Sequence, residues 1–174
     1  MREIEWKVLS ELMKNAKISD RELAKKIRSS QPTVTRARRK LEKERYIREY
    51  TVIPNFRKLG YEILAVTLFK YKKRFDAEKT KKAKKILDES FKEGPFEIIM
   101  AERGLGGGYN AIMMSIHRDY KSFMGLMNWA QQFYDLELAD FESFLVNLAG
   151  EVRYQPLTLS FLAKHLLTVK EKKE

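Results

Sequence analysis

The chain has 174 residues, of which 44% are hydrophobic, and this length holds one large domain or two small ones. No apolar run approaches the roughly 18 to 20 residues of a membrane span, and the first residues lack the apolar core of a secretory signal, so we expect a cytoplasmic protein without a membrane partner. The absence of cysteine excludes disulfides, thiol nucleophiles and cysteine-based zinc or iron–sulfur sites.

Most of the positive charge lies in the first third of the chain. The formal net charge is +11. Residues 1–60 hold 17 Lys and Arg against 8 Asp and Glu, or +9, whereas residues 61–174 hold 18 against 16, or +2. A surplus confined to one segment indicates that this segment meets a polyanion, and nucleic acid is the leading candidate.

The first fifty residues show the pattern of a helix-turn-helix. Apolar residues at helical spacing predict a first helix from about Glu3 to Lys14. Ser19 and Glu22 then form a capping-box pattern, which starts a short second helix. Residues 28–32, Arg-Ser-Ser-Gln-Pro, break that helix and open a third, with Ser30 as its N-cap. Two helices therefore meet across a tight turn.

The third helix, taken as about Gln31 to Glu44, has a narrow apolar stripe and a basic outer side. Val34, Ala37 and Leu41 lie within about 60° of one another at 100° per residue, so the remaining positions face outward or flank the stripe. Basic side chains mixed with hydroxyl and amide groups suit a helix that enters the major groove. The residues that we expect to contact DNA are Ser30, Gln31, Thr33, Thr35, Arg36, Arg38, Arg39, Lys40 and Lys43.

The chemistry of these side chains divides them into two groups. Arg binds guanine in a bidentate manner, Gln suits adenine, and Thr contacts a thymine methyl group or a phosphate. We assign base or groove contacts to Gln31, Thr33, Thr35, Arg36 and Arg39, and phosphate contacts to Arg38, Lys40 and Lys43.

The alternative is that this basic run is simply the solvated face of a surface helix. Such a face normally interleaves acids with bases. Residues 36–49 instead hold seven Lys and Arg against three Glu, and this imbalance lies beside a helix-turn-helix pattern. The DNA-binding interpretation is therefore favoured. Residues 46–53 then read as β-structure, a short wing or linker strand that Pro54 ends.

Four landmarks in order resemble the Lrp/AsnC (feast/famine) family of transcription regulators. They are Ile18-Ser19 with Glu22-Leu23-Ala24, then Ser30 and the Arg-rich helix to Leu41-Glu42, then Tyr46 to Thr51, and finally Lys58-Leu59-Gly60-Tyr61 before an apolar strand. The position that is usually Gly in the family is Arg45, so the helix must end without the residue that best tolerates a left-handed conformation.

From Tyr61 onward strand and helix patterns alternate in the order βαββαβ, which predicts a ferredoxin-like arrangement. The resemblance to Lrp/AsnC proteins implies the same fold. The predicted elements are strands over Tyr61–Lys72, Pro95–Arg103, Tyr109–His117 and Asp140–Leu148, and helices over Asp76–Glu93 and Asp119–Tyr134. The whole chain is thus predicted as α+β, with a winged helix-turn-helix over 1–53, a linker over 54–60, a ferredoxin-like assembly and effector domain over 61–150 and a C-terminal helical extension over 151–174.

The predicted strands are apolar on both faces, as residues 63–69 and 141–148 show. Helices on one side cover only one face, and a bare apolar sheet is larger than soluble monomers tolerate. We therefore expect a homodimer or higher oligomer in which a second sheet covers the first. The alternative is that the segment Tyr154–Val169 folds back over the sheet.

The glycine-rich stretch from Gly104 to Gly108 joins two predicted strands. A phosphate-binding loop leads into a helix and carries Lys-Ser/Thr, so this stretch reads instead as a hairpin connection. In Lrp/AsnC proteins a Gly-x-x-Asp stretch at this place lies near the pocket for an amino acid or similar effector, and here Asn replaces the Asp. The resemblance implies an effector site at Gly104, Gly107, Gly108 and Asn110.

No catalytic, metal or cofactor site is expected. His117 and His165 are isolated, and the lysines of residues 79–85 read as the solvated face of a helix. One enzymatic alternative remains: siroheme decarboxylases resemble Lrp/AsnC proteins in fold, and His117 with Arg103 or Arg118 would meet tetrapyrrole carboxylates. Such an enzyme would not need the N-terminal basic surplus. We therefore expect a sequence-specific regulator that binds double-stranded DNA, itself and a small-molecule effector such as an amino acid.

Overall fold

The computed structural model describes residues 1–72, 81, 85, 97–131, 138–151 and 157–171. The chain divides into two compact units, one built from Met1–Pro54 with Tyr154–Glu174 and the other from Asn55–Arg153. In chain order the helices and strands are α1 (Glu3–Lys14), α2 (Asp20–Lys26), α3 (Gln31–Lys43), a short 3₁₀ helix (Phe56–Leu59), β1 (Ile63–Tyr71), β2 (Glu97–Gly106), β3 (Tyr109–His117), α4 (Tyr120–Gln131), β4 (Leu138–Asn147) and α5 (Ser160–Glu171). None of the helices in these described ranges is long and apolar enough to cross a bilayer.

The N-terminal caps of α2 and α3 are those that the sequence predicts. The Ser19 hydroxyl accepts a hydrogen bond from the backbone N–H of Glu22, and the Glu22 carboxylate accepts one from the N–H of Ser19. At the next helix the Ser30 hydroxyl accepts from the N–H of Thr33 at 3.3 Å. Each cap satisfies backbone donors that have no partner inside the helix, which places both helix starts locally.

Two arginines stand in the left-handed region where these helices end. Arg28, between α2 and α3, has φ +54°, and the N–H of Ser29 donates to the carbonyl of Ala24 at 2.9 Å across the turn. Arg45, after α3, has φ +58°. The position at which the Lrp/AsnC resemblance implies Gly therefore does adopt the conformation that favours Gly.

The strand predicted over residues 46–53 does not form. These residues lie in neither helix nor strand. They are held against α3 instead, because the N–H of Ile47 donates to the carbonyl of Leu41 at 3.1 Å and the Tyr50 hydroxyl donates to Glu42 at 2.7 Å. None of the described strands pairs with this segment, because all of them pair within the one sheet of the other unit.

The core of the first unit lies between α1, α2 and α3. The buried residues of this core are Val8, Leu12, Leu23, Ala24, Val34, Ala37 and Leu41. The helix α5 packs on α1. The Ser10 hydroxyl of α1 donates to the carbonyl of Ala163 in α5 at 2.8 Å, and both residues are buried. The alternative in which the C-terminal segment folds back over the sheet is thus replaced by packing of α5 within the first unit.

The second unit is a four-stranded antiparallel sheet in the order β2-β3-β1-β4, which is the order of a ferredoxin-like fold. The four strands and the second helix of the predicted βαββαβ series are confirmed where the structure describes them: β3 has the predicted bounds, and the ends of β1 and β4 differ by one or two residues. The predicted helix over Asp76–Glu93 lies outside the described residues except for Lys81 and Lys85, which are helical and exposed.

One face of the sheet is covered by α4, and the other, called the open face below, is mostly apolar and partly exposed. Phe123, Leu126 and Met127 of α4 belong to the same buried cluster as Ala65 and Phe69 of β1. The register places on the opposite face Leu64, Val66 and Leu68 of β1, Met100 and Glu102 of β2, Ile112, Met114 and Ile116 of β3, and Glu142, Phe144 and Val146 of β4. On this face Phe144 is 72% exposed and Met100 is 37% exposed.

Candidate nucleic-acid interface

The outer side of α3 is open to solvent. Its inner stripe is buried as predicted, with Val34, Ala37 and Leu41 all at most 1% exposed. The exposed residues on and just before the helix include Ser30, Gln31, Arg36, Arg39 and Lys43, and Thr33 is half-buried. No acidic residue lies in its first turn, so the N-terminal backbone N–H groups and the basic side chains present a positive surface.

The cations of this outer side are not paired with acids. Within the part of the chain that the structure describes, Arg36, Arg39 and Lys43 form no ion pair with a carboxylate. The Nε of Arg36 donates to the carbonyl of Pro32 one turn earlier at 3.3 Å. These three side chains can therefore meet an external anion without first breaking an ion pair.

Two further predicted DNA contacts are instead held by Asp20, the first residue of α2. The Nε of Arg38 lies 2.8 Å from Asp20 Oδ1, and the Thr35 hydroxyl donates to Asp20 Oδ2 at 2.6 Å. The Nη2 of Arg38 also donates to the carbonyl of Ile18 at 2.9 Å. Both charged side chains are mostly buried, with 18% of Arg38 and 22% of Asp20 exposed. Thr35 and Arg38 thus point toward α2.

Lys40, predicted to bind phosphate, is paired with Glu5 of α1, although 39% of the Lys40 side chain stays exposed. Its Nζ lies 3.1 Å from Glu5 Oε1, while Arg2 Nε lies 2.7 Å from the same oxygen. Burial alone would raise the pKa of Glu5, but hydrogen bonds from Arg2 and Lys40 and the charge of Lys40 outweigh it and lower the pKa to about 2. Glu5 is thus an ionised carboxylate that is only 1% exposed.

Asp20 and Glu5 are the residues that the sequence interpretation missed. Asp20 stands in the first turn of α2, where an acid is expected from the helix dipole alone. Glu5 lies 35 residues before Lys40, and no periodic pattern links positions so far apart. The available signal was the position of the two cations on α3. At 100° per residue Arg38 and Lys40 border the apolar stripe, and so they lie nearer to the neighbouring helices than Arg36 and Arg39 do.

The glycine-rich stretch forms a tight hairpin between β2 and β3. Gly107 and Gly108 have φ +58° and +86°, as a two-residue turn with both central residues left-handed requires, and Gly104 lies in β2. Both groups of the Asn110 side-chain amide are bound to the backbone of Tyr71, with Nδ2 donating to the carbonyl and Oδ1 accepting from the N–H, each at 3.0 Å. This amide ties β3 to the end of β1.

Two of the residues named for the enzymatic alternative, His117 and Arg118, contact aromatic rings. His117 is fully buried, its Nε2 lies 2.8 Å from the Ser115 hydroxyl oxygen, and its ring meets Phe123 edge-on. Burial lowers the pKa of His117. The Arg118 guanidinium stacks over the ring of Tyr61 at 5.5 Å. Within the described ranges no group of three or more His, Asp or Glu could hold a metal ion.

Comparison with known proteins identifies relatives for both units. Residues 1–48 match the family model described as winged helix-turn-helix DNA-binding. Over 148 residues the chain is 32% identical to an uncharacterized HTH-type transcriptional regulator of Pyrococcus horikoshii, and the match covers 84% of this chain and 88% of the relative. The crystal structure of that regulator superposes with a TM-score of 0.68 at 26% identity, covering 90% of this chain and 97% of the other.

Two more relatives match less of the sequence or at lower identity. The leucine-responsive regulatory protein of Rhizobium meliloti is 36% identical over 74 residues, which cover 42% of this chain and 47% of that protein. A crystal structure of a transcriptional regulator from Neisseria meningitidis in complex with L-Met has a TM-score of 0.70 at 17% identity, with 92% of this chain and 95% of the other covered. The last similarity concerns the fold alone.

Proposed function

The chain belongs to the Lrp/AsnC family of transcription regulators, and on this premise we propose that it recognises specific sequences in double-stranded DNA through the outer side of α3. The observation that carries the proposal is the exposure of Arg36, Arg39 and Lys43, free of acidic partners in the described structure, on the second helix of a helix-turn-helix. That helix is the one that enters the major groove in such motifs.

Each exposed group has a defined task in this proposal. Arg36 and Arg39 bind guanine edges, and Gln31 and Thr33 read bases or the groove near the start of the helix. Lys43 at the other end of α3 binds a phosphate. The N-terminal turn of α3, capped by Ser30, directs its backbone N–H groups and the positive end of the helix dipole to a second phosphate.

The proposed assembly is a homodimer or higher oligomer that forms through the open face of the sheet. Phe144 and Met100 are exposed on the two edge strands of the sheet, and half-buried Val66 and Met114 lie in register between them. A second copy of the same face would remove this apolar surface from water through a self-complementary two-fold contact. Two copies of α3 would then read the two halves of a palindromic site.

The proposed effector is a small molecule such as an amino acid, bound near the β2–β3 hairpin. The supporting observations are the L-Met complex of the N. meningitidis regulator and the glycine-rich hairpin at Gly104, Gly107 and Gly108. Asn110 carries no charge for an ammonium group, and its amide is bound to Tyr71. The backbone of the hairpin would therefore supply the polar contacts.

Selection of bound fragments from genomic DNA tests the proposal. The full chain should enrich a palindromic sequence, and the Arg36→Ala variant, folded by circular dichroism, should lose that enrichment. Repeating the selection with single amino acids tests the effector. Enrichment of no sequence by the wild-type chain contradicts sequence-specific binding. A Soret absorbance band acquired on incubation with siroheme would favour the enzymatic alternative.

A further inference from the structure

The cations along α3 fall into two sets that differ in what they contact. Arg36, Arg39 and Lys43 are exposed, whereas Arg38 and Lys40 are joined to carboxylates from other helices. The two sets alternate along the sequence, so a count of basic residues on the helix overstates the charges that face outward.

The Asp20–Arg38 pair holds the more buried of the two cations. Both carboxylate oxygens of Asp20 are engaged, one by Arg38 and one by Thr35, and Arg38 also donates to the carbonyl of Ile18. With about four-fifths of each charged side chain covered, water screens the pair less than it screens an exposed pair. Moving Arg38 to a phosphate would leave Asp20 without its cation, close to a polyanion.

Resting on the DNA-binding function proposed above, we propose that Asp20 is a positioning residue that withholds Arg38 from DNA and so limits the phosphate contacts of α3. Phosphate contacts strengthen binding to every sequence and carry no sequence information. Holding Arg38 inside the unit lowers the affinity for non-specific DNA while the base-reading side chains remain in place. A regulator benefits because non-specific sites vastly outnumber operators.

Removal of any acid near DNA also raises affinity through long-range charge, so the test must separate that effect from the release of Arg38. Glu22→Gln is the matched control, because it removes one negative charge from the same helix, and Gln preserves the capping box with Ser19. Arg38→Gln, alone and combined with Asp20→Asn, reports whether the effect passes through Arg38.

The experiment measures binding of the full chain to a fluorescent mixed-sequence duplex by anisotropy at several salt concentrations. The slope of log affinity against log salt changes by about 0.9 for each phosphate contact. Asp20→Asn should steepen the slope by about 0.9, Arg38→Gln and Glu22→Gln should keep the wild-type slope, and the double variant should return to it.

Three results would overturn the inference. Arg38→Gln alone could flatten the slope by about 0.9, which would place Arg38 on a phosphate already. Asp20→Asn could leave the slope unchanged, or the double variant could remain as steep as the single one. If Asp20→Asn does not fold, the Arg38→Gln result still decides. If the wild-type chain does not bind DNA, or if Arg36→Ala leaves its DNA binding unchanged, the proposed function is contradicted rather than this inference.

Discussion

The hydroxyl of Ser10 on α1 donates a hydrogen bond of 2.8 Å to the carbonyl of Ala163 on α5, across 153 positions of sequence. Ala163 is fully buried. The helix-turn-helix is therefore completed by the C-terminal end of the chain, and the sheet unit is inserted between Pro54 and Tyr154. The unit that reads DNA in the proposed function is connected to the sheet unit at both ends of the insertion.

Ala163→Leu should destabilise the first unit by about 1 to 3 kcal/mol, because added methyl groups do not fit a packed contact. Urea unfolding followed by circular dichroism measures the change. Lys164→Leu introduces the same side chain at an exposed neighbouring position and is the control. Equal unfolding midpoints for the two variants would show that α5 does not pack on α1 in solution.

Arg45→Gly should stabilise the first unit by about 0.5 to 1 kcal/mol. A left-handed conformation costs a non-glycine residue about 1 to 2 kcal/mol, and the greater freedom of Gly in the unfolded chain offsets part of the gain. Thermal unfolding measures the effect. Arg45→Ala removes the same charge but keeps the strain, so a similar gain from Ala would attribute the effect to charge and not to backbone conformation.

Glu5→Gln should destabilise the first unit at neutral pH by about 1 to 3 kcal/mol, because Arg2 and Lys40 lose a charged partner. The pKa of Glu5 falls from 4.5 to about 2 on folding, so the unfolded chain takes up the proton first as the pH drops. The contribution is complete above 4.5 and is lost as the pH falls toward 2.

Urea unfolding of wild type and Glu5→Gln across this acid range measures that dependence. The difference between the two proteins should shrink as the pH falls. Glu3→Gln, at an exposed position of the same helix turn, is the control and should show a smaller effect throughout. A constant difference at every pH would mean that the ionised form of Glu5 contributes nothing to stability.

Arg36→Ala and Lys43→Ala should affect DNA binding in different ways. Loss of Arg36 should weaken binding to the selected site by about 1 to 3 kcal/mol and reduce discrimination, because a base contact is removed. Loss of Lys43 should weaken binding to all sequences and lower the salt slope by about one. Anisotropy titrations measure both. Lys81→Ala, an exposed lysine of the other unit, should change neither quantity.

Phe144→Glu should convert the proposed dimer to a monomer, because a charge would replace the most exposed large apolar side chain in the proposed contact between two sheets. Analytical ultracentrifugation measures the mass, and circular dichroism checks that the sheet is retained. Tyr120→Glu, at an exposed position of α4 on the other side of the sheet, is the control. If the Phe144→Glu variant folds and remains a dimer, the dimer interface does not lie on this face of the sheet.

Local patterns in the sequence were sufficient for the helices of the first unit and the strands of the second. Ser19 and Ser30 place helix starts because capping involves residues three positions apart. Val34, Ala37 and Leu41 predict the buried side of α3 because helical periodicity alone brings them together. The segment 46–53 has β-like composition, yet a strand needs a neighbouring strand, and its contacts are with α3.

Periodicity, capping and composition were enough to predict that α3 carries a basic outer side, that it follows a tight turn, and that a ferredoxin-like sheet comes after it. Which of the α3 cations are held by carboxylates became visible only in the folded chain. Arg38 is held inward by Asp20, Lys40 is paired with Glu5 while 39% of its side chain stays exposed, and α5 returns to pack on α1. Ion pairs and helix packing depend on distances in space between residues far apart in the chain, and periodicity and capping carry no information about those distances.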